Sequence, residues 1–362
     1  MDRNIKIYYQ SAKALGFPVT YLSDVDSLKI HLGGKNYYFN RTVTPFNCGA
    51  SIYLSKNKHL LNKLLEQSGF PVPKAIVINK ENFEKFPLAD LIATLDFPVV
   101  IKPAINTSRG KDVLCNIKNS QRLNNYLQQR FTTYSSLQIE EFHQGLKEYR
   151  VLICKNKVLG VVERFGAHVI GDGKHTIKEL VELSNDKRLM LSDSLSISPL
   201  VFDDEYENCL EEQGLSIHSI PDEGQNVRLC YTANTGRGGD INSLGKKINP
   251  YNAWQLVKAA QVTGLNVVGF DVLCEDINQS FEHKKWLIIE ANFHPDITIH
   301  EIPNNGEKTD VTKKILRQLI VRHPFSYLYG LLKNNRFGLY IKVTFIFLAI
   351  WAFRVALEPG FS

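Results

Sequence analysis

Two apolar stretches late in the chain each carry polar residues within an otherwise buried pattern. Residues 267–273 and 286–292 are mostly Val, Leu, Ile, Phe and Trp, which is typical of buried β-strands. The first contains Asp271, and the second contains Glu290 and Asn292. Because side chains alternate along a strand, Glu290 and Asn292 are expected on one face. A carboxylate there needs compensation, either from a Lys or Arg side chain or from a hard cation such as Mg²⁺.

Helical spacing of apolar residues, together with start and stop residues, predicts helices elsewhere in the chain. The predicted helices are about 57–68, followed by Gly69 and Pro71; about 176–184, opened by a capping box of Thr176 and Glu179; and the segment that begins at Asn249-Pro250 and ends at Gly264.

Short apolar runs between turn residues predict further strands, at about 97–101, 138–142, 149–153 and 158–162. Gly33-Gly34 and Asn156 are expected at hairpin turns. Residues 1–55 are expected to form short strands and turns. The weakly patterned residues 185–225 are expected to run over the surface.

Composition sets the protein class. The chain has 362 residues, which suits two or three α/β lobes. Its net charge of +6 comes from 43 basic and 37 acidic residues without a long basic run, so nucleic-acid binding is not indicated. The six cysteines have no metal-binding or redox spacing. Residues 1–4 lack the apolar core of a signal peptide, which favours a cytoplasmic location.

A lysine ends one predicted strand and precedes a polar loop. Lys102 follows the strand at 97–101, and the loop at 106–112 contains Ser108 and Gly110. Such a loop exposes backbone N–H groups that suit a phosphate cover, with the lysine meeting phosphate charge. The alternative is a solvated lysine. The chain contains neither a G-x-x-x-x-G-K-[ST] loop nor a G-x-G-x-x-G fingerprint.

Several motifs occur in an order that resembles the ATP-grasp ligases, and more closely the ATP-grasp module of cyanophycin synthetase and of bifunctional glutathione synthetases. The resemblance runs from about residue 55 to residue 313. The most specific motif is 164–180, RFGAHVIGDGKHTIKEL. The others include PVVIKP at 98–103, IEEF at 139–142, GFDV at 269–272 and EAN at 290–292.

The resemblance implies an α+β, ATP-grasp fold, in which two α/β lobes sandwich ATP, with a short N-terminal α/β segment and an apolar C-terminal helix. The implied divisions are an N-terminal segment at 1–55, a lid subdomain at 56–137, a C-terminal subdomain with the metal site at 138–322, and an apolar helical tail at 323–362.

The resemblance also implies a set of ligand-binding residues. ATP phosphates would be met by Lys58, Lys102, Ser108 and Gly110; adenine by Glu140 and the backbone near Phe142; ribose by Glu148; and two Mg²⁺ ions, with Mn²⁺ as an alternative, by Asp271, Glu290 and Asn292.

Two positions depart from the family pattern. Asp296 replaces the glycine often seen after the Pro295 position. Cys230 stands where the subfamily usually carries an arginine. Arg228 lies two residues earlier and is expected on the same strand face, and Arg237 lies in the adjoining glycine-rich loop. Either arginine could stabilise an acyl-phosphate.

The implied activity is ATP-dependent ligation of a carboxylate to an amine through an acyl-phosphate, with amino acids or short peptides as substrates. Two alternatives stay open: a non-ligating ATP-binding protein, in which Cys230 marks lost chemistry, and an ATP-grasp kinase. The chain resembles only the ATP-grasp part of these larger proteins, so their partner substrates do not carry over.

The last apolar segment, about 337–357, allows three interpretations. Its uncharged core at 343–353 is shorter than the roughly 20 residues that span a bilayer, but Lys342 and Arg354 could snorkel from its ends. The segment could pack against the body or a second subunit, bind a membrane, or be disordered. Homo-oligomerisation and membrane association are therefore both candidate interactions.

Overall fold

The structure is a computed structural model that describes residues 1–104, 112–192, 195–333 and 335–357. Its strands, β1 to β15 in chain order, are Val19–Leu22, Ser27–Leu32, Lys35–Asn40, Ala75–Asn79, Val99–Pro103, Leu114–Ile117, Ser136–Glu141, Lys147–Cys154, Lys157–Phe165, His168–Ile170, Asn226–Arg228, Asp240–Leu244, Val267–Cys274, Trp286–Asn292 and Asn305–Glu307. Its α-helices, α1 to α13, are Arg3–Ala14, Gly49–Lys56, Lys58–Gln67, Lys80–Lys85, Leu88–Leu91, Ser120–Arg130, Ile177–Leu191, Asp204–Glu212, Pro250–Thr263, Thr298–Glu301, Val311–Arg322, Pro324–Lys333 and Asn335–Leu357.

The chain forms two compact units, and the first combines Met1–Pro45 with Asp310–Ser362. In this unit the antiparallel sheet β1-β2-β3 lies beside α1, and α1 packs on α11. The hydroxyls of Ser11 and Thr312 are 2.6 Å apart in the contact between these two helices. The hairpin expected at Gly33-Gly34 is confirmed between β2 and β3, and both glycines have positive φ.

Residues 1–55 contain two helices, α1 and α2, beside the expected strands and turns, in agreement with the implied N-terminal α/β segment. Asp2 caps α1 by accepting from the backbone N–H groups of Asn4 and Ile5. Ile5, Tyr8 and Ala12 are buried along one face of this helix. That i, i+3, i+7 spacing is a helical signal.

The second unit, Phe46–Thr309, contains a six-stranded sheet in the order β14-β13-β8-β9-β12-β15. Its neighbours are antiparallel except β12 and β15. Helices α3 and α9 contribute Leu61, Leu65 and Leu256 to the core that includes Phe270 of β13. Burial of each such side chain contributes about 1.5–3 kcal/mol, so this apolar layer holds the central strands in place. These two helices confirm the predictions for about 57–68 and for the segment ending at Gly264.

A four-stranded antiparallel sheet, in the order β4-β7-β5-β6, lies in the same unit. Helix α6 covers it with Leu123 and Leu127, which pack in one core with Ile101 and Ile139. Lys102 lies in β5 opposite Gln138 of β7. The sheet therefore carries this lysine on a rigid strand.

Residues 185–225 are not a surface excursion, and that expectation is wrong. Helix α7 begins with the predicted capping box of Thr176 and Glu179 but continues to Leu191, since no Gly or Pro stops it near Ser184. Helix α8 follows and buries Tyr206 and Leu210 against the small sheet β10-β11. This segment therefore contributes buried residues to a core that it shares with the sheet β10-β11.

The predicted apolar segment near the end of the chain forms the helix α13. Within the described residues, Gly338–Val355 is the segment long and apolar enough to cross a membrane by length and composition, with mean hydropathy 1.7 and 6% of its residues buried. The interpretations of this segment given above stay predictions. The four-part division of the chain stays a prediction.

Candidate functional site

The polar residues of the two late strands meet as the strand pattern predicts. In the β13–β14 pair, Asp271 lies opposite Glu290, and Gly269 lies opposite Asn292. The Asn292 side-chain amide lies 3.3 Å from Asp271 Oδ2 and 3.3 Å from the Gly269 carbonyl oxygen, and donates to both. Its amide oxygen is thereby left for another partner, because the nitrogen end faces the strand.

Two arginines, from the adjacent strand β8 and from β9 beyond it, bind Asp271. Arg150 of β8 donates through Nη2 to Oδ2 at 2.9 Å and through Nε to Oδ1. Arg164 of β9 places Nη1 3.0 Å from Oδ1. Burial raises the pKa of Asp271, but the Arg150 and Arg164 guanidiniums outweigh burial and hold that pKa below its ordinary value. Asp271 is therefore an ionised carboxylate in a buried position.

The same arginine also binds a second buried acid. Arg164 Nη1 lies 2.9 Å from Glu148 Oε1, and the two residues are paired across β8 and β9. Burial raises the pKa of Glu148 to about 7, with Arg164 acting in the opposite direction. We call the following six residues the charged cluster: Glu148, Arg150, Arg164, Asp271, Glu290 and Asn292.

Glu290 lies at the accessible edge of the charged cluster. Its Oε1 is 3.5 Å from Nζ of Lys58, the first residue of α3. The Glu290 side chain is 36% exposed and that of Lys58 is 19% exposed, so both groups can reach a ligand that enters from solvent. The Asn57 side chain accepts from the backbone N–H of Leu60 and so fixes where α3 begins.

Lys102 forms a buried ion pair in the four-stranded sheet. Its Nζ lies 2.5 Å from Glu140 Oε1, and Gln138 Nε2 donates to Glu140 Oε2 at 2.9 Å. Burial lowers the pKa of Lys102, but Glu140 outweighs burial and holds it above its ordinary value. Glu290 raises the pKa of Lys102 as well, so these two predicted site residues lie within electrostatic reach of each other.

Phe142 follows directly after β7. Its backbone N–H donates to the Pro98 carbonyl at 3.0 Å, and its ring packs edge-on against Tyr231 with centroids 5.0 Å apart. Ser108 and Gly110, the other two predicted phosphate contacts, lie outside the described residues.

The two candidate arginines have acidic partners from the segment around α8. Arg237 Nη2 lies 2.5 Å from Asp203 Oδ2 and 3.2 Å from Glu205 Oε2, and its side chain is 9% exposed. Arg228 stacks on the Tyr231 ring at 4.1 Å and lies 3.9 Å from Glu212. Its side chain is 40% exposed, which leaves it the more accessible of the two arginines.

The expectation that Arg228 and Cys230 share a strand face is wrong, because β11 ends at Arg228. Cys230 is fully buried in the core formed with Tyr206 and Val227. Burial raises the pKa of the Cys230 thiol well above its ordinary value. Cys230 therefore acts as a small apolar residue.

The donor set of the charged cluster fits Mg²⁺ in its chemistry, since Asp271, Glu290 and Asn292 supply carboxylate and amide oxygens. The part of the chain that the structure describes contains no group of three or more His, Cys, Asp or Glu side chains arranged around a metal position. Four nitrogen atoms already approach the two Asp271 oxygens. A metal ion would reach Asp271 only if one of these donors moved away.

The roles of Arg150 and Arg164 were missed in the sequence. Glu148 and Arg150 are two residues apart in an apolar strand, so they share a face for the same reason as Glu290 and Asn292. That spacing was a usable signal. The pairing of Arg150 with Asp271, 121 residues away, depends on strand order and has no local signal.

Comparisons with known proteins identify the fold and the superfamily of the chain. A family model described as a RimK-like ATP-grasp domain matches residues 55–174. Cyanophycin synthetase from Crocosphaera subtropica is 28% identical over 316 residues, which cover 85% of this chain and 35% of that protein. The glutathione biosynthesis bifunctional protein GshAB of Clostridium perfringens is 30% identical over 287 residues, 77% of this chain and 36% of that protein.

A solved structure extends the likeness to the fold. The crystal structure of a bifunctional glutathione synthetase from Pasteurella multocida matches with a TM-score of 0.60 and 25% identity, covering 89% of this chain and 44% of that one. The chain spans about 35% of the length of the curated relatives it matches. It has the ATP-grasp fold and belongs to the ATP-grasp superfamily, with a likeness to the ATP-grasp module of cyanophycin synthetase and of bifunctional glutathione synthetase.

Proposed function

We propose that the chain is an ATP-dependent carboxylate–amine ligase. One observation carries the proposal: acidic and basic side chains of four adjacent strands converge in the charged cluster, and Lys58 and Lys102 lie within electrostatic reach of Glu290. Such an arrangement suits a polyanionic ligand that needs cations around it. The names of the relatives, which are synthetases, support the same reaction class.

The proposed ATP contacts are those that the resemblance to the ATP-grasp ligases implies, and the positive charge of the two lysines supports them. Lys58 and Lys102 would bind phosphate oxygens, and each would then exchange its present acid partner, Glu290 or Glu140, for the nucleotide. The backbone after β7, near Phe142, would hold adenine together with Glu140. Glu148, near the start of β8, would accept from the ribose hydroxyls.

Bound Mg²⁺ would neutralise phosphate charge and stabilise the charge that develops on the transferred phosphoryl group. The Asn292 amide oxygen and the Glu290 carboxylate, whose side chain is 36% exposed, would be the accessible donors for it, and Asp271 would join them if a guanidinium withdrew. Arg150 and Arg164 would then be available to the anionic ligand. We propose that the site would hold two Mg²⁺ ions and that Mn²⁺ could replace them.

The reaction would begin with attack of a substrate carboxylate on the γ-phosphorus of ATP, which releases ADP and leaves an acyl-phosphate. An amine would then attack the acyl carbon and expel phosphate. Arg228 is our candidate for the group that stabilises the acyl-phosphate, because it is more exposed than Arg237. The proposed substrates are amino acids or short peptides. The proposed compartment of the reaction is the cytoplasm.

A second candidate function has its own support. Cys230 is buried and cannot replace an arginine, and Asp271 is held by protein donors. A non-ligating ATP-binding protein would accommodate both features. No specific observation favours phosphoryl transfer to a hydroxyl.

The test is ADP release by the full chain, with Mg²⁺ and a panel of amino acids and short peptides as carboxylate and amine, followed by mass identification of products. We expect an amide product whose formation falls at least a hundredfold in Glu290→Gln, and a large loss in Asn292→Ala, with both variants folded. Glu275→Gln, on the surface, is the matched control. ATP binding without turnover for any pair would favour the second candidate, a phosphorylated hydroxyl would favour a kinase, and full turnover in Glu290→Gln would remove the metal assignment.

A further inference from the structure

Helix α12 has one face held by its own unit and another face exposed. Tyr327 donates its hydroxyl to the Leu15 carbonyl at 2.5 Å, and its ring lies 5.2 Å from Phe17. The other face carries exposed apolar residues at the helical spacing i, i+3, i+4, i+7, namely Phe325, Leu328, Tyr329 and Leu332. This stripe is about 150° away from Tyr327 at 100° per residue. Helix α12 is thus an amphipathic helix whose apolar face points away from its attachment.

Helix α13 is apolar on all sides. Four consecutive residues, Phe345, Ile346, Phe347 and Leu348, are all more than half exposed. Because consecutive helical residues are about 100° apart, four of them cover the whole circumference. A helix that is apolar all round is stable when protein or lipid surrounds it.

The length of α13 suits a bilayer. Its 23 residues extend about 34 Å, compared with a hydrocarbon core of about 30 Å. Side chains on a helix lean toward its N-terminus, so the Lys342 ammonium can reach back toward the start of α13. Tyr340 and Trp351 are exposed toward the two ends, where headgroups accept such rings.

The positive charge of the chain is concentrated in the same region. Residues 311–362 contain eight Lys or Arg residues and a single acidic residue, Glu358. Residues 1–310 therefore hold 35 basic and 36 acidic residues, which is nearly neutral. A basic segment around an apolar helix is complementary to anionic lipid headgroups.

From these four observations we propose that α12 and α13 bind an anionic lipid bilayer: α12 lies along the headgroup layer and α13 inserts into the hydrocarbon. This goes beyond the ligase reaction, and neither depends on the other. A second copy of the chain is the less favoured occupant, because a twofold pairing would bring the same basic segment of each copy together.

The test is flotation of the full-length chain with two vesicle types, phosphatidylcholine alone and phosphatidylcholine with one-third phosphatidylglycerol. We expect most of the protein to float with the anionic vesicles and several-fold less with the neutral ones. Bound protein should resist extraction with alkaline carbonate, since α13 is inserted. Equal absence of flotation with both vesicle types overturns the proposal, and complete release by carbonate overturns the insertion of α13.

Substitutions in the full chain distinguish the contribution of α13 to lipid binding from that of α12. Phe347→Glu with Trp351→Glu should lower the floated fraction at least tenfold, and Phe325→Glu should lower it less. Trp254→Glu is the matched control, because Trp254 is an exposed aromatic of α9 in the other unit, and it should float as the unsubstituted chain does. Circular dichroism melting checks that every variant is folded.

Light scattering without lipid measures the oligomeric state and so tests whether a second copy of the chain covers these helices. If the unsubstituted chain forms a defined dimer that ignores both vesicles, and the Phe347→Glu, Trp351→Glu chain is a monomer, a second copy covers these helices and the lipid proposal fails. If the control loses flotation as strongly as the α13 variant, general surface hydrophobicity explains the binding and the proposal fails as well.

Discussion

The charged cluster and the helix pair α12–α13 depart from ordinary burial in opposite directions. The cluster places charged side chains where apolar ones are usual, with Asp271 only 3% exposed. The helix pair places aromatic and aliphatic side chains where polar ones are usual, with Phe325 86% exposed. A buried charge and a large exposed apolar surface are the two informative exceptions to the burial rule.

The two regions differ in whether the chain itself supplies the compensation. In the charged cluster, Asp271 is matched by Arg150 and Arg164, and nearby Lys102 is matched by Glu140. In α13, 6% of the apolar window is buried among the described residues. A ligand of the cluster must therefore displace existing ion pairs, whereas a ligand of the helix pair supplies contacts that the chain does not make.

Removal of one buried charge should have the largest effect on stability. Asp271→Asn removes the carboxylate that Arg150 binds and leaves Arg164 with Glu148 alone, so we expect the free energy of unfolding to fall by about 3–5 kcal/mol. Glu275→Gln is the control, because Glu275 pairs with Lys284 at 3.0 Å on the surface, and it should change stability by no more than about 1 kcal/mol.

Urea unfolding of both variants gives the comparison. A cost below about 1 kcal/mol for Asp271→Asn would mean that water or rearranged side chains already solvate the arginines, since a well-packed buried pair costs several times more to break. The charged cluster would then not differ from the helix pair in having its unusual side chains compensated by other residues of the chain.

Loss of Lys102 should have an intermediate effect, seen in nucleotide affinity. A charge-assisted contact with phosphate contributes about 1.5–3 kcal/mol, so Lys102→Ala should bind ATP about tenfold to 150-fold more weakly in the presence of Mg²⁺. Lys85→Ala is the control, because Lys85 forms an exposed pair with Glu81 four residues away. Equal ATP affinity of the unsubstituted chain and Lys102→Ala in calorimetry would exclude Lys102 from the ATP site.

The sequence predicts a helix or strand well where residues within the element itself mark its start and its end. The helix α9 begins at Pro250 after its Asn249 cap and ends before Gly264, where φ is positive, as expected from those three residues. Helix α8 was missed, although Asp203 caps it, because the surrounding residues lack a clear apolar period. Its core forms with strand residues such as Val227, which are distant in sequence.

The candidate site likewise contains one feature that a local pattern predicts and one that no local pattern predicts. The shared face of Glu290 and Asn292 follows from alternation within one strand, and the structure confirms it. The binding of Asp271 by Arg150 depends on β8 lying beside β13, which no local pattern specifies. No local pattern therefore predicts which basic side chains lie beside Asp271; the structure shows Arg150 and Arg164 there, and Mg²⁺ binding stays a proposal.

The smallest expected effect belongs to the helix pair. Phe347→Ala should change the free energy of unfolding in lipid-free solution by no more than about 0.5 kcal/mol, because an exposed side chain loses few contacts. Phe270→Ala is the matched substitution in β13, where the ring is fully buried, and it should cost about 3–5 kcal/mol. Urea unfolding of both variants measures the difference. A cost above about 1.5 kcal/mol for Phe347→Ala would show that protein already covers α13, since that loss requires burial of the ring. The helix pair would then be compensated within the protein, as the charged cluster is, and would have no surface left for lipid.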